Sequence, residues 1–282
     1  MFDRLLIAVD GSEASLHALE QSFALIRAEK SSAKVVSVVP PYEGDLRLVG
    51  VKNIHAMMRQ PYEAALAQAS RAAESQAFEL RFFLEEGEPD EQIVGLAESE
   101  GCDVIVIGVR DANSSEMFLM GSIAARVVGS SPTHVLVIPY ATTLKWNRVL
   151  VAVDGSPFGD RAEEIAFYLQ RAYGSSITLL CAADVPSHIY GIDPSAADGF
   201  IARAREVLDA AVGQAQSSGA RAEVLLREGD PADSITEEAR KGGFDLILIG
   251  SHGRKGLKRL LMGSVTERVI ARAPCPVLVA KI

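Results

Sequence analysis

Cysteine is scarce in this chain: three residues in 282, Cys102, Cys181 and Cys275, far apart and without a Cys-x-x-Cys pair. An odd, scattered set argues against a disulfide framework or a thiolate zinc site. It fits reduced thiols in a cytoplasm, packed as small apolar groups. Basic charge is also short. Lys and Arg number 28 against 37 Asp and Glu, a formal charge of −9, which excludes a general attraction to nucleic acid or an acidic membrane surface. No apolar run reaches about 18 residues, so no membrane span is expected. The opening MFDRLLIAVDGS lacks the n-, h- and c-regions of a secretory signal, and a cytoplasmic location is the expectation. His17, His55, His134 and His188 show no metal-ligand spacing. No paired carboxylates or nucleophile triad stand out, so no catalytic residue is assigned. What is present is globular: 48% apolar and 23% charged residues, enough for one large or two ordinary cores.

The chain repeats itself. LLIAVDGS (5–12) matches VLVAVDGS (149–156), with Asp154 and Asp10 separated by 144 positions. LEEGEPDEQI (84–93) matches LREGDPADSI (226–235), CDVIVIG (102–108) matches FDLILIG (244–250), and HVLVIP (134–139) matches PVLVAK (276–281), all separated by 142. Matches in order and at nearly constant spacing predict two homologous domains, 1–142 and 146–282, joined by the short polar stretch YATTLKWN (140–147).

Within the second domain, strands are predicted at 148–153, 176–182, 222–226, 245–249 and 276–280. They are apolar on successive residues, as in a parallel sheet covered on both faces. Ser156-Pro157 and Asp230-Pro231 read as N-cap followed by proline at the first helical position, and Ser264 to Glu267 as a capping box. Alternating strands and helices predict an α/β fold, two open parallel sheets with helices on both faces. Arg126 and Arg268, on the helix after each Gly-Ser, read as solvent or interface charges.

Ligands of such sheets sit beyond the carboxyl ends of the strands. After the fourth strand of the second domain stands Gly250-Ser-His-Gly253, then nine residues, then Gly263-Ser264 opening a helix. Glycines permit positive φ and close backbone approach; exposed N–H groups and a helix N-terminus attract an anion. Ser264 has two uses, capping its own helix or donating to a phosphate oxygen. No Gly-Lys-Ser/Thr follows, so this is no Walker loop, and only VDGS stands where a dinucleotide fingerprint would follow the first strand.

G-x2-G-x9-G-S after the fourth strand, AVDGS after the first and a PCPVLV last strand resemble the universal stress protein family over the whole chain, as a tandem pair. The resemblance implies a Rossmann-like five-stranded sheet of order 3-2-1-4-5 and, where the glycine motif is intact, ATP binding. It implies that Ala152, Val153 and Asp154 line the adenosine, and that Ala182 meets the adenine through backbone groups. Ile249, Gly250, His252 and Gly253 would wrap ribose and phosphates, and Gly263, Ser264, Val265 and Thr266 would close on the phosphates. Where the family often has Val at the base-contacting position, this chain has Ala182. Mg²⁺ suits such a site as the cation of the nucleotide, since it keeps waters and needs few protein ligands.

The two copies differ in charge. From 250 to 263, Arg254, Lys255, Lys258 and Arg259 stand without acids, a balance of +4; from 108 to 121, Arg110 faces Asp111 and Glu116, a balance of −1. Asp111 replaces the second motif glycine, and a carboxylate about 4 Å from a phosphate costs on the order of 1–4 kcal/mol. Gly108, Gly121, Ser122 and Asp10 persist. The second domain is therefore expected to bind ATP or a related adenine nucleotide, and the first weakly or not at all.

Three classes of function compete. A nucleotide-binding stress or signalling protein is favoured by residues 250–264. An ATP-consuming enzyme would need a pyrophosphate loop after the first strand, where VDGS is too short; slow ATP hydrolysis is its modest form. A phosphate-accepting receiver would need an acceptor Asp ending the third strand, where Leu84-Glu85 and Leu226-Arg227 stand. Apolar last strands at 134–138 and 276–280 are edge hazards. Family members dimerise there, which implies an internal pseudo-dimer or a homodimer. Segments 40–62 and 183–200 share no register in the sequence.

Overall fold

A computed structural model describes residues 1–41, 54–110, 121–186, 194–253 and 262–282. They form two compact units, one mainly from residues 1–141 and the other mainly from 142–282.

The first unit runs β1 (Arg4–Ala8), α1 (Glu13–Glu29), β2 (Ser32–Val39), α2 (Ile54–Ser75), β3 (Arg81–Glu86), α3 (Pro89–Ser99), β4 (Val104–Val109), α4 (Ser122–Ser130) and β5 (His134–Pro139). The second runs β6 (Arg148–Ala152), α5 (Pro157–Tyr173), β7 (Ser176–Ala183), α6 (Pro194–Ser217), β8 (Ala222–Glu228), α7 (Pro231–Gly242), β9 (Leu246–Gly250), α8 (Ser264–Arg272) and β10 (Val277–Ala280). Strand order is β3-β2-β1-β4-β5 in the first unit and β8-β7-β6-β9-β10 in the second. The paired strands run parallel, with Leu6 opposite Lys34 and Ile105, and Leu150 opposite Thr178 and Ile247. The predicted α/β class and strand order hold, and each predicted strand of the second unit lies within two residues of its observed bounds.

The apolar runs go where both faces are covered. Leu5, Leu6 and Ile7 of β1 and Val149, Leu150 and Val151 of β6 are fully buried. Burying each Leu or Ile contributes about 1.5–3 kcal/mol. The edge strand β8 is more open, with Val224 exposed. All three cysteines are buried and reduced. Burial, with Asp245 adding, pushes the Cys275 thiol up to about 12, so it packs as an apolar group.

Helix starts follow local chemistry. Ser156 caps α5 by accepting from the Gly159 N–H, and Asp230 caps α7 by accepting from the Asp233 N–H, each ahead of a proline. The equivalent of Asp230 in the first unit is Glu88, 142 positions earlier, whose longer side chain makes no cap hydrogen bond. Asp230→Ala is therefore expected to cost about 1–2 kcal/mol in urea unfolding, with Glu88→Ala near neutral; equal effects would refute the difference. One expectation needs correction. Ser264 is the first residue of α8 and Gly263 the N-cap, so the predicted capping box does not form. Arg126 and Arg268 stay partly exposed, as expected of solvent charges, and each also pairs with an acid: Arg126 with Asp90 of α3 at 2.9 Å, and Arg268 with Asp230, the N-cap of α7, at 2.8 Å.

The long helices also supply a register that the sequence withheld. Gly11 and Gly155, both at positive φ, turn the chain after β1 and β6. A Cβ at Gly11 would lie 3.3 Å from Ala65 of α2, and one at Gly155 would lie 3.3 Å from Val207 of α6. Ala65 and Val207 thus match, again 142 apart. Of the divergent segments, residues 42–53 and 187–193 lie outside the described residues.

Candidate functional site

In the second unit the winding reverses between β6 and β9, which are adjacent and parallel, so the turns after these two strands rise side by side. The turn after β6 carries Asp154. Its Oδ1 accepts the Ser156 N–H at 3.0 Å, which folds the turn locally. The turn after β9 carries Ser251, His252 and Gly253. A Cβ at Gly253 would lie 2.9 Å from Asp154 Oδ2, and one at Gly159 would lie 2.9 Å from Asp154 Oδ1. The carboxylate is therefore slotted between two glycines. Neither glycine has a positive φ, so space rather than backbone freedom requires them.

Further contacts bind the two turns and the helix that follows. The Ser156 hydroxyl, besides capping α5, donates to the His252 carbonyl at 3.4 Å. The His252 ring lies 5.2 Å from the Phe158 ring, and its Nδ1 is 3.1 Å from the buried Ser251 hydroxyl. The Gly263 N–H donates to the Ser251 carbonyl at 3.0 Å, bringing the start of α8 against the β9 turn. Among the described residues no side chain caps α8, and the first N–H groups of a helix have no acceptor within it, so this end can face an external acceptor.

The other predicted residues divide by role. Gly250 ends β9 under α5: a Cβ there would meet Phe158 Cβ at 2.8 Å and the Gly159 nitrogen at 3.0 Å. The Thr266 hydroxyl donates to the Gly250 carbonyl at 2.8 Å and is buried, so it fastens α8 to the strand. Ser264 is exposed at the first turn of α8, and Val265 is half-buried beside it. Ala152 is half-buried at the end of β6; Val153 is buried, with its N–H on the Leu180 carbonyl of β7. Ala182 is half-buried near the end of β7, and Ile249 is buried in β9. Arg254, Lys255, Lys258, Arg259, Asp111 and Glu116 lie outside the described residues.

Sequence reasoning missed Phe158, Gly159 and Glu163. Glu163, on α5, is 2% exposed, and its Oε2 has no hydrogen-bond partner. Burial first, then the charges of Asp160 and Asp154, push its carboxyl up to about 7. Aligning the copies shows Leu19 in its place, a signal available from the start.

The first unit builds the same turn differently. Asp10 Oδ1 accepts both the Ser12 N–H at 2.9 Å and the Ser12 hydroxyl at 2.6 Å. Burial works against ionisation of Asp10, but these bonds and those from Ser15 outweigh it and lower its pKa. In the second unit the matching hydroxyl, Ser156, turns to the β9 loop instead. Among the described residues no group of three or more His, Cys, Asp or Glu could hold a metal ion, and no helix is long and apolar enough to cross a membrane.

Comparison with known proteins agrees with this geometry. The model of the universal stress protein family matches residues 1–139 and again 145–281. A universal stress protein of Bacillus subtilis (strain 168) is 31% identical over 148 residues, 48% of this chain and 99% of its own length. One from Methanocaldococcus jannaschii is 32% identical over 141 residues, 48% of this chain and 82% of its own. The crystal structure of a universal stress protein from Archaeoglobus fulgidus DSM 4304 matches with a TM-score of 0.75 at 22% identity, covering 100% of this chain and 99% of that one, a likeness of fold. Two matches to one family model, together spanning nearly the whole length, make this chain a member of the universal stress protein family with the family domain in tandem.

Proposed function

We propose that the second unit binds ATP or a related adenine nucleotide, that the first binds it weakly or not at all, and that the chain serves as a nucleotide-responsive regulator in the stress response. The observation that carries this reading is the convergence at one strand end of Asp154, the glycine slot at 253 and the uncapped start of α8. Asp154 offers an acceptor for ribose hydroxyls, and the free N–H groups of α8 offer donors to phosphate oxygens. Mg²⁺ would come with the nucleotide, held by its phosphates and completed by water.

Titration of the full chain with ATP-Mg is expected to show about one site per chain. Gly253→Asp copies the residue of the first unit. It would drive a new side chain into Asp154 and set two carboxylates together behind an anion. Binding should weaken by at least about tenfold, since each like-charge pair at a few ångströms costs on the order of 1–4 kcal/mol. Two equal sites, or unchanged affinity in Gly253→Asp, would refute the assignment.

A further inference from the structure

The fold does not require an acid at position 163. The equivalent position in the first unit holds Leu19, fully buried. A buried carboxyl with one oxygen unpartnered, as Glu163 Oε2 is, costs free energy, and such groups concentrate at functional sites. Glu163 also has a definite address. It stands one helical turn beyond Gly159, and Gly159 is the residue whose missing Cβ makes room for Asp154 Oδ1.

The groups that act on it are acids. Asp160 lies one turn earlier on α5, and Asp154 stands at the end of β6. The strands that α5 covers, β6 (RVLVA), β7 (SITLLCAA), β9 (LILIG) and β10 (VLVA), bring no ionisable side chain except the exposed Arg148 at the far end of β6 and the buried Cys181 of β7. On α6 the charged residues Asp198, Arg203, Arg205, Glu206 and Asp209 are exposed. Arg161 on α5 pairs with Glu164 at 2.5 Å. Lys281, beyond β10, has its own pKa lowered to about 8 by burial.

We propose that Glu163 is a positioning residue whose proton sets how firmly the second unit holds its nucleotide. As a neutral carboxyl it backs Asp154 without adding charge. As a carboxylate it forces a second negative charge into the wall behind an anionic ligand and repels Asp154 from its slot. Nucleotide binding then draws a proton onto Glu163, and affinity falls as pH rises through neutrality. This rests on the nucleotide reading above and adds a control that the first unit, with Leu19, lacks.

The test is ATP binding by calorimetry on the full chain, wild type and Glu163→Gln, from about pH 6 to about pH 8.5. Taking the ratio to Glu163→Gln removes the titration of ATP itself. Wild-type affinity should fall about tenfold more than that of Glu163→Gln across the range, the order expected for one added like charge near an anionic ligand. Near pH 7, measurement in two buffers of different ionisation enthalpy should show extra proton uptake in the wild type. Glu163→Leu, the residue of the twin, should behave as Glu163→Gln and covers the case in which the amide disturbs folding. Parallel pH profiles with equal proton uptake overturn the role of Glu163 and leave nucleotide binding intact. Failure of every variant to bind ATP at any pH overturns the nucleotide reading, and this inference with it.

Discussion

Gly108→Ala is expected to destabilise the full chain by about 3 kcal/mol in urea unfolding, whereas Gly121→Ala should stay within about 0.5 kcal/mol. Both belong to the glycine motif as it stands in the first unit, yet their surroundings differ completely. A Cβ on Gly108 would run into the Ala14 carbonyl oxygen and lie 2.8 Å from the Ser15 nitrogen; one on Gly121 would meet no atom of the described residues within 4 Å. The obstructing atoms at Gly108 are backbone of the first turn of α1, so no rotamer change relieves the clash. Either the helix or the strand must shift, and a close-packed interior resists that. A small loss for Gly108→Ala would mean that α1 does not sit down on β4 as described.

That contrast changes what the repeated phrase means. Gly250 meets the same demand in the second unit, against Phe158 and Gly159. The first motif glycine is therefore a packing residue in both copies. Its persistence at 108 carries no information about a ligand. Gly253 is different: its missing side chain leaves room for a carboxylate at the strand end, which makes it the more informative glycine for binding. The sequence shows a glycine at each of these positions and cannot separate the two causes, because both the α1 contact and the Asp154 contact are long-range.

Much else was legible in the sequence. Apolar runs without alternation located the strands, and Ser156-Pro157 and Asp230-Pro231 located two helix starts, because each of these is a local signal. The start of α8 was misread by one residue: Ser264 and Glu267 carry the spacing of a capping box, but Gly263 takes the cap position, held by its N–H on the Ser251 carbonyl. A tertiary contact thus overrode a local preference, and it left the α8 N-terminus open. The partners of Arg126 and Arg268 were not legible for the same reason, since Asp90 lies on α3 and Asp230 caps α7. Thr266 sits in the motif as a phosphate-binding candidate, and its hydroxyl is committed to Gly250.

Removing the Glu163 carboxyl should change how stability depends on pH, whether or not a nucleotide is present. Its pKa is raised from 4.5 to about 7, by burial first and then by Asp160 and Asp154. The folded state then binds more protons than the unfolded state between these values, so its stability falls as pH rises. Below about pH 4.5 both states are protonated and there is no penalty; above about pH 7 the folded state holds an ionised, buried carboxylate at a cost of roughly 3 kcal/mol. The side chain is 2% exposed, so solvent screens little of this. Glu163→Gln removes the charge and keeps the shape. Between about pH 5 and about pH 8 the wild type should lose roughly 3 kcal/mol relative to Glu163→Gln, read as urea unfolding free energies at each pH. Glu163→Leu should show the same flattened profile with a higher baseline, because an apolar side chain leaves no buried oxygen unpaired. If the wild type and Glu163→Gln instead run parallel across this range, the carboxyl is solvated or paired in solution, and the raised proton affinity of Glu163 is wrong.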